Sequence, residues 1–448
     1  MKRLKLSTTH IIMLSFAAAI LIGSLLLSLP QSSASGERVP YIDALFTATT
    51  ATCVTGLVTV TTASAWSGFG QAVILLLIQI GGLGVITVMS GLMMLLNRKM
   101  GIGDRLLIQD AFNLNTLSGL AVFIKKVLLG TFVIEGLGAL LYMPVFVRDF
   151  GARGIWVSVF NSVSAFCNAG MDIIGDNSLY DYATDPLVNG VTAALIILGG
   201  IGYVVWWDVI RVLGGGKKRR IFRRLTLHSK IAITASIGLI LIGGALIFAF
   251  EYNNPETIGN LSLLDKIQVS LFQSVTTRTA GFAAVPQQNL TDPSSMVCLL
   301  LMFIGGSPVG TAGGVKTVTF IVLAASAIAT VKGDREVNLF NRTVSKQAIG
   351  KAVAVFVTSF SIAFISSLLL SLVSGAPVMD VVYEAVSATA TVGLSRGITP
   401  SLTLLGKLII ILTMFLGRVG PISLALALNS GSRNHNVIKN PTEDISVG

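Results

Sequence analysis

Charge is scarce in this sequence. Only 12% of its 448 residues are charged, against 53% hydrophobic, and the mean hydropathy is +0.80. Such a composition excludes a soluble globular domain and places the chain among polytopic membrane proteins. The net charge of +11 does not point to nucleic acid, because the basic residues lie in short segments between apolar runs, where membrane orientation accounts for them. Histidine and cysteine are scarce too, three of each. His10 and His228 precede apolar runs with no Cys or His at ligand spacing, which argues against a metal centre. Cys53, Cys167 and Cys298 are too few for a disulfide framework. No HExxH motif or nucleophile–base pair is visible, so an intramembrane enzyme lacks support. No polar stretch is long enough for a soluble domain.

What is present is a series of eight apolar runs, at 11–29, 69–96, 127–147, 187–213, 231–250, 296–331, 352–373 and 402–428. About 20 apolar residues cross a bilayer as a helix. The first run follows Lys2, Arg3 and Lys5 like a signal peptide, but no convincing small-residue cleavage site follows and a span here fits the later pattern, so it is kept as a helix. The even-numbered runs are longer, which allows tilt or projection from the membrane.

Between each odd run and the next even one lies a half-polar segment ending near a glycine. Aligned on it, the four read FTATTATCVTGL (46–57), FNSVSAFCNAGM (160–171), LFQSVTTRTAGF (271–282) and YEAVSATATVGL (383–394). Each starts on a large apolar residue, continues with mostly small or hydroxylated ones and closes on a glycine with an apolar neighbour. The pattern predicts four span–re-entrant–span repeats, with short pore helices aiming their negative ends at a cation. Glycine packing between helices is the plainer reading, but it does not require the same flanks four times. Non-helical backbone at membrane depth is tolerated where it lines a cavity or is buried in protein. In the fourth segment, Thr391-Val392-Gly393 suits a file of carbonyl oxygens of the kind that replaces the hydration shell of K⁺.

Most of the 32 basic residues fall on one side if both termini are cytoplasmic. They include Lys2, Arg3 and Lys5; Arg98, Lys99, Arg105, Lys125 and Lys126; the run from Arg211 through Lys217, Lys218, Arg219, Arg220, Arg223 and Arg224 to Lys230; Lys332 to Lys351; and Arg433 and Lys439. Arg38, Arg148, Arg153, Lys266, Arg278, Arg396 and Lys407 fall opposite. The basic loop at 214–225 suits anionic lipid, with a docking role for a cytoplasmic partner as the lesser reading. Asp172, Asp176, Asp181 and Asp185 cluster outside, either as a solvated loop or as a cation-concentrating mouth.

Each even run also carries a glycine cluster: Gly81-Gly82-Leu83-Gly84, Gly199-Gly200-Ile201-Gly202, Gly305-Gly306-Ser307-Pro308 and Gly417-Arg418-Val419-Gly420. The first two read as close packing or a bend. The third expands into GGSPVGTAGGVKT (305–317), where Gly305, Gly306, Gly310, Gly313, Gly314 and Pro308 oppose a helix. It is expected to be a flexible plug across the pathway, with a simple kink as the alternative. Arg418 is a charge deep in a span, either a barrier to cations or half of a structural pair with carbonyls or an acid, Glu135 being one candidate. Glu135 otherwise reads as a packing residue, and Lys316 as a snorkelling one.

Together the four loops, the broken sixth span and Arg418 resemble the Trk/Ktr/HKT superfamily of K⁺ transporters, and in particular the membrane subunit of bacterial Ktr systems. The motifs that carry the likeness are Cys53-Val-Thr-Gly56-Leu, Asn168-Ala-Gly170, Thr279-Ala-Gly281-Phe, Thr391-Val-Gly393-Leu and Gly417-Arg418-Val-Gly-Pro421. The resemblance implies an all-α polytopic membrane protein of four membrane-pore-membrane repeats, eight transmembrane helices and four pore helices around a pseudo-fourfold pore. Repeats are placed at 1–98, 99–216, 217–334 and 335–430, with a cytoplasmic tail at 431–448. It implies a K⁺ filter of Val54, Thr55, Gly56, Asn168, Ala169, Gly170, Thr279, Ala280, Gly281, Thr391, Val392 and Gly393. A gate at 305–314 and Arg418 would lie beneath. Gly56 is the K⁺-type choice, where serine marks Na⁺-preferring relatives. A homodimer in the bacterial plasma membrane is implied, with termini in the cytoplasm, a cytosolic RCK/KTN-type regulatory ring binding ATP or ADP, and uptake often influenced by Na⁺. No organic cofactor is implied. The rival expectation is an alternating-access transporter of another small solute, which binds at broken helices near the midplane.

Overall fold

The computed structural model describes residues 8–96, 101, 106, 119–215 and 221–420 and is almost wholly helical. Unit one comprises α1 (Thr8–Leu27), the re-entrant α2 (Tyr41–Cys53) and the pair α3 (Gly68–Leu83) and α4 (Val85–Leu95). Unit two comprises α5 (Leu120–Phe150), re-entrant α6 (Arg153–Cys167), α7 (Pro186–Gly200) and α8 (Tyr203–Gly214). In unit three these are α9 (Leu227–Glu251), re-entrant α10 (Leu263–Thr276), α11 (Asp292–Phe303) and α12 (Thr317–Lys332). Unit four has α13 (Lys346–Ser374), re-entrant α14 (Val378–Ala390) and α15 (Leu404–Val419). Ser67, Asp185, Thr226, Ser262, Thr291, Ser345 and Thr403 cap helix N-termini, each side-chain oxygen accepting from a free N–H of the first turn.

Among the described residues, α9, α13 and His10–Leu27 are long and apolar enough to cross a bilayer unbroken. Three of the long even runs do not simply tilt. α3 and α4 meet at 96°, and α7 and α8 at 95°. Gly84 and Gly202 sit at these breaks with φ of 84° and 93°, a conformation that side chains resist. The third long run is interrupted outright between α11 and α12. α5 and α13 outrun the lengths read from the sequence, at 31 and 29 residues, because helix-compatible polar residues such as Lys125 and Lys346 extend them past the apolar core. A two-residue hairpin, β1 (Asn338–Leu339) with β2 (Arg342–Thr343), adds a little strand to the expected all-α fold.

Several expectations fall outside the described residues. These are the repeat boundaries at 98/99 and 216/217, the tail at 431–448, the end of the eighth run with Pro421, and the charges Lys2, Arg3, Lys5, Arg98, Lys99, Arg105, Lys217, Lys218, Arg219, Arg220, Arg433 and Lys439.

The four units close into a ring, and each junction carries a polar link. Trp156 Nε1 donates to Gln71 Oε1 at 2.9 Å between units one and two. Leu179 N donates to Ala283 O at 3.0 Å between two and three. Between three and four, Tyr383 Oη donates to Gln287 Oε1, and Arg396 reaches Gln287 O and Ser295 Oγ. Lys407 Nζ meets Asp43 Oδ1 between four and one. Apolar side chains such as Phe46, Phe160, Phe272 and Ile410 fill the interior, while Leu21, Leu140, Ile242 and Leu368 face outward in large number, as a lipid-facing surface does.

Candidate functional site: a ring of glycines and the loop beneath it

The re-entrant helices of units one, two and four stop on a residue in the left-handed region, while α10 ends at Thr276 and the chain reaches that region at Thr279. The residues so placed are Val54 (φ 56°), Asn168 (57°), Thr279 (67°) and Thr391 (50°), each two positions before a glycine. The glycines also have positive φ: Gly56 103°, Gly170 63°, Gly281 82° and Gly393 96°. Left-handed φ is a steric outlier for β-branched Val and Thr, so each such position stores strain that the surroundings must hold. In units one, two and four the same turn brings the backbone out of the helix, with Thr55 N, Ala169 N and Val392 N bonding the carbonyl five residues back; in unit three Ala280 N bonds Thr276 O instead.

The glycines converge. A Cβ on Gly56 would lie 2.7 Å from Ala169 O, and one on Gly170 the same distance from Ala280 O. One on Gly281 would strike Val392 O, and one on Gly393 would strike Thr55 O. Each glycine therefore faces the carbonyl of the residue preceding the next glycine, and the sequence one–two–three–four returns to one. Gly56, Gly170, Gly281 and Gly393 are thus held in one closed ring, which no side chain can enter without moving a neighbouring strand.

Behind the ring, hydroxyls brace the strands. Thr50 Oγ1 accepts from Gly56 N at 2.9 Å and Ser387 Oγ from Gly393 N at 3.0 Å. In unit two Ser164 Oγ bonds both Met171 N and Met171 O. The third unit departs: Val275 fills the equivalent place, and Thr276 Oγ1 instead donates to Phe282 O at 2.6 Å. Sequence reasoning missed these braces, although a hydroxyl six residues before the glycine is visible in segments one, two and four.

The glycine-rich loop at 305–314 lies directly under the ring. Gly305 N donates to Val315 O and Val315 N to Phe303 O, which pinches the loop at its neck. Its tip threads the α7–α8 bend: Ser307 N donates to Gly200 O, Thr311 N to Gly199 O, and Tyr203 N to Val309 O. Thr311 Oγ1 reaches Phe166 O at 3.0 Å. Gly313 N donates to Thr279 Oγ1 at 3.1 Å, and a Cβ there would collide with Thr391 Oγ1.

Arg418 ties this assembly together. Its Nη1 donates to Thr311 O and its Nη2 to Gly81 O, both at 2.6 Å, so it joins units one, three and four. Glu135 is not its partner. That carboxylate accepts from Gln79 Nε2 at 3.2 Å and from the Cys167 thiol. Lys316 does not snorkel but folds back, Nζ donating to Ala312 O at 2.5 Å. Arg278, placed outside by the sequence reading, is buried at the end of α10 against Ser236 Oγ of α9, at 3.1 Å.

The four aspartates do not form one cluster. Asp176 and Asp181 are exposed, while Asp185 caps α7 through Leu187 N and Val188 N. Asp172 is buried just past Gly170, with Ile174 N donating to its Oδ1 at 3.2 Å. Burial pushes its carboxyl up to about 6, against the opposing pull of bonds from Ser178, Ile174 and Gly175.

Comparison with known proteins places this geometry. A profile described as "TrkH: Cation transport protein" matches residues 6–435. The Ktr system potassium uptake protein B of Bacillus subtilis is 39% identical over 448 residues, covering 100% of this chain and 98% of that one. The potassium/sodium uptake protein NtpJ of Enterococcus hirae is 37% identical, with coverage of 100% and 98%. A crystal structure of the potassium transporter TrkH from Vibrio parahaemolyticus superposes with a TM-score of 0.75, covering 95% of this chain and 86% of that one; at 17% identity it speaks for the fold.

Proposed function

The chain belongs to the TrkH family of cation transport proteins, and from that premise we propose that it is the ion-conducting membrane subunit of a Ktr-type K⁺ uptake system. One observation carries this reading: the closed ring in which each glycine faces the carbonyl before the next. Main-chain oxygens of Val54, Thr55, Asn168, Ala169, Thr279, Ala280, Thr391 and Val392, with their glycines, act as the filter. Neutral carbonyls bind a dehydrated K⁺ firmly enough to strip its water and weakly enough to release it. Only unit four carries Thr-Val-Gly, so selectivity is looser than in a ring of four identical strands.

The loop at 305–314 is the gate. It blocks the inner end of the ring and is held by Arg418, whose charge adds an electrostatic barrier to cations. The protein sits in the plasma membrane with both termini in the cytoplasm, a reading supported by the excess of basic residues on that side. It works as a homodimer under a cytosolic nucleotide-binding ring, with uptake influenced by Na⁺. The test is ⁸⁶Rb⁺ uptake into liposomes containing the purified chain, competed by K⁺ and by Na⁺. Strong competition by K⁺ and weak competition by Na⁺ is expected. Equal competition by both, or uptake of an organic solute without ion flux, would favour alternating access instead.

A further inference from the structure

The third re-entrant segment breaks the repeat at one residue. Three positions before their glycines, units one, two and four carry Cys53, Cys167 and Ala390, small side chains without charge, and unit three carries Arg278. Arg278 lies just past α10 and is only 8% exposed. Its Nη2 donates to Ser236 Oγ at 3.1 Å and its Nη1 to Ser236 O at 3.5 Å, a long bond. Its Nε has no acceptor. Arg418, by contrast, grips two carbonyls at 2.6 Å. Among the described residues no carboxylate pairs with Arg278. Its guanidinium lines a cavity between units two and three, with Ile196, Ile197 and Ile201 on one side, Ser236 and Val275 on the other, and Gly306 of the loop. The cavity has about 10 Å³ of free volume, room for one small occupant and for no organic ion. The Ser236 hydroxyl accepts from Arg278 and donates to no described residue, so its proton is available to that occupant.

We propose that this cavity is a site for a small monovalent anion, chloride, held by the Arg278 guanidinium and the Ser236 hydroxyl. A buried charge is costly unless it is paired, and the walls supply no negative group. A water molecule would accept a hydrogen bond and leave the charge in place, whereas a halide ion removes both deficits. The bound pair is neutral, so a cation at Gly281, three residues along the chain, meets no bare positive charge. The site goes beyond the reading of the chain as a K⁺ pathway and stands independently of it.

Crystals of the full chain grown in sodium bromide give the direct readout. An anomalous peak beside the Arg278 guanidinium is expected, and its absence overturns the site. Thermal unfolding of the purified chain is then compared in sodium chloride, sodium bromide and sodium gluconate at equal ionic strength, which holds general screening constant. The melting temperature should rise saturably with either halide and stay lower in gluconate, as for a ligand that binds the folded state alone. Arg278→Gln keeps a polar group beside Ser236 and loses the charge, so it should melt at one temperature in all three salts. Ser236→Ala removes the second donor and should need about tenfold more chloride for half the shift. Equal wild-type melting in halide and gluconate, a halide shift that survives in Arg278→Gln, or an unchanged chloride requirement in Ser236→Ala overturns the proposal.

Discussion

Lys407 Nζ lies 2.6 Å from Asp43 Oδ1, an ion pair between residues 364 positions apart. Both side chains are nearly buried, at 14% and 10% exposure. The pair joins the last described helix to the first re-entrant one and so closes the ring of units. Removing one partner strands the other charge at a cost of about 3–5 kcal/mol. Lys407→Ala is therefore expected to lower thermal stability in detergent markedly. Lys407→Ala with Asp43→Ala should recover much of the loss, and a double variant no better than the single would separate the pair from ring closure.

Glycine substitution in the ring gives a second test. Gly281→Ala and Gly393→Ala each drive a methyl into a neighbouring carbonyl and force a side chain to positive φ. Both are expected to abolish K⁺ over Na⁺ preference in ⁸⁶Rb⁺ uptake while the protein still inserts. Gly36→Ala, also at positive φ but with open space around it, should leave that preference untouched.

Arg418→Gln removes the charge that clamps Thr311 O and Gly81 O together. Charge-assisted bonds are about twice as strong as neutral ones. Freed of the clamp, the loop should undock more often and flux should rise several-fold. Shortening the loop within 305–314 is expected to act in the same direction. Lower flux from a correctly folded Arg418→Gln protein would turn the residue from a restraint into a support.

Asp172 gives a pH signature. Its folded value is raised to about 6 from an ordinary 3.8, so between these values the folded state holds the extra proton. Stability is then highest below the ordinary value and falls as pH rises through this window. Asp172→Asn still accepts from Ile174 N and carries no charge. The melting temperature of the variant is expected to be flat from about pH 4 to 6, where the wild type declines.

Much of this was legible in the sequence, because a repeated backbone conformation demands repeated residue types. The four glycines, their flanks and the breaker-rich loop needed only alignment and counting. Bend directions did not, since Gly81-Gly82-Leu83-Gly84 permits a bend without saying that it reaches 96°. Arg418 shows the limit more sharply. The sequence leaves carbonyls or an acid such as Glu135 open as its partner, and the structure shows carbonyls. Gly81 lies in the last turn of α3, whose carbonyls have no helical donor, and Thr311 lies in a loop with none to offer. Breaking the helices created the acceptors, and no tally of acidic residues contains that. Lys407 and Asp43 were invisible for the simpler reason that ring closure brings together the far ends of the chain.

One covalent thread makes all four walls of the passage. In an assembly of identical subunits any substitution is stamped on every wall at once. Here it alters one wall and spares three, which is how Val54 can stand where its counterparts are Asn168, Thr279 and Thr391. Permeation can therefore be tuned in quarter steps, each small enough to be survived, and a lopsided ion path is a direct product of that freedom.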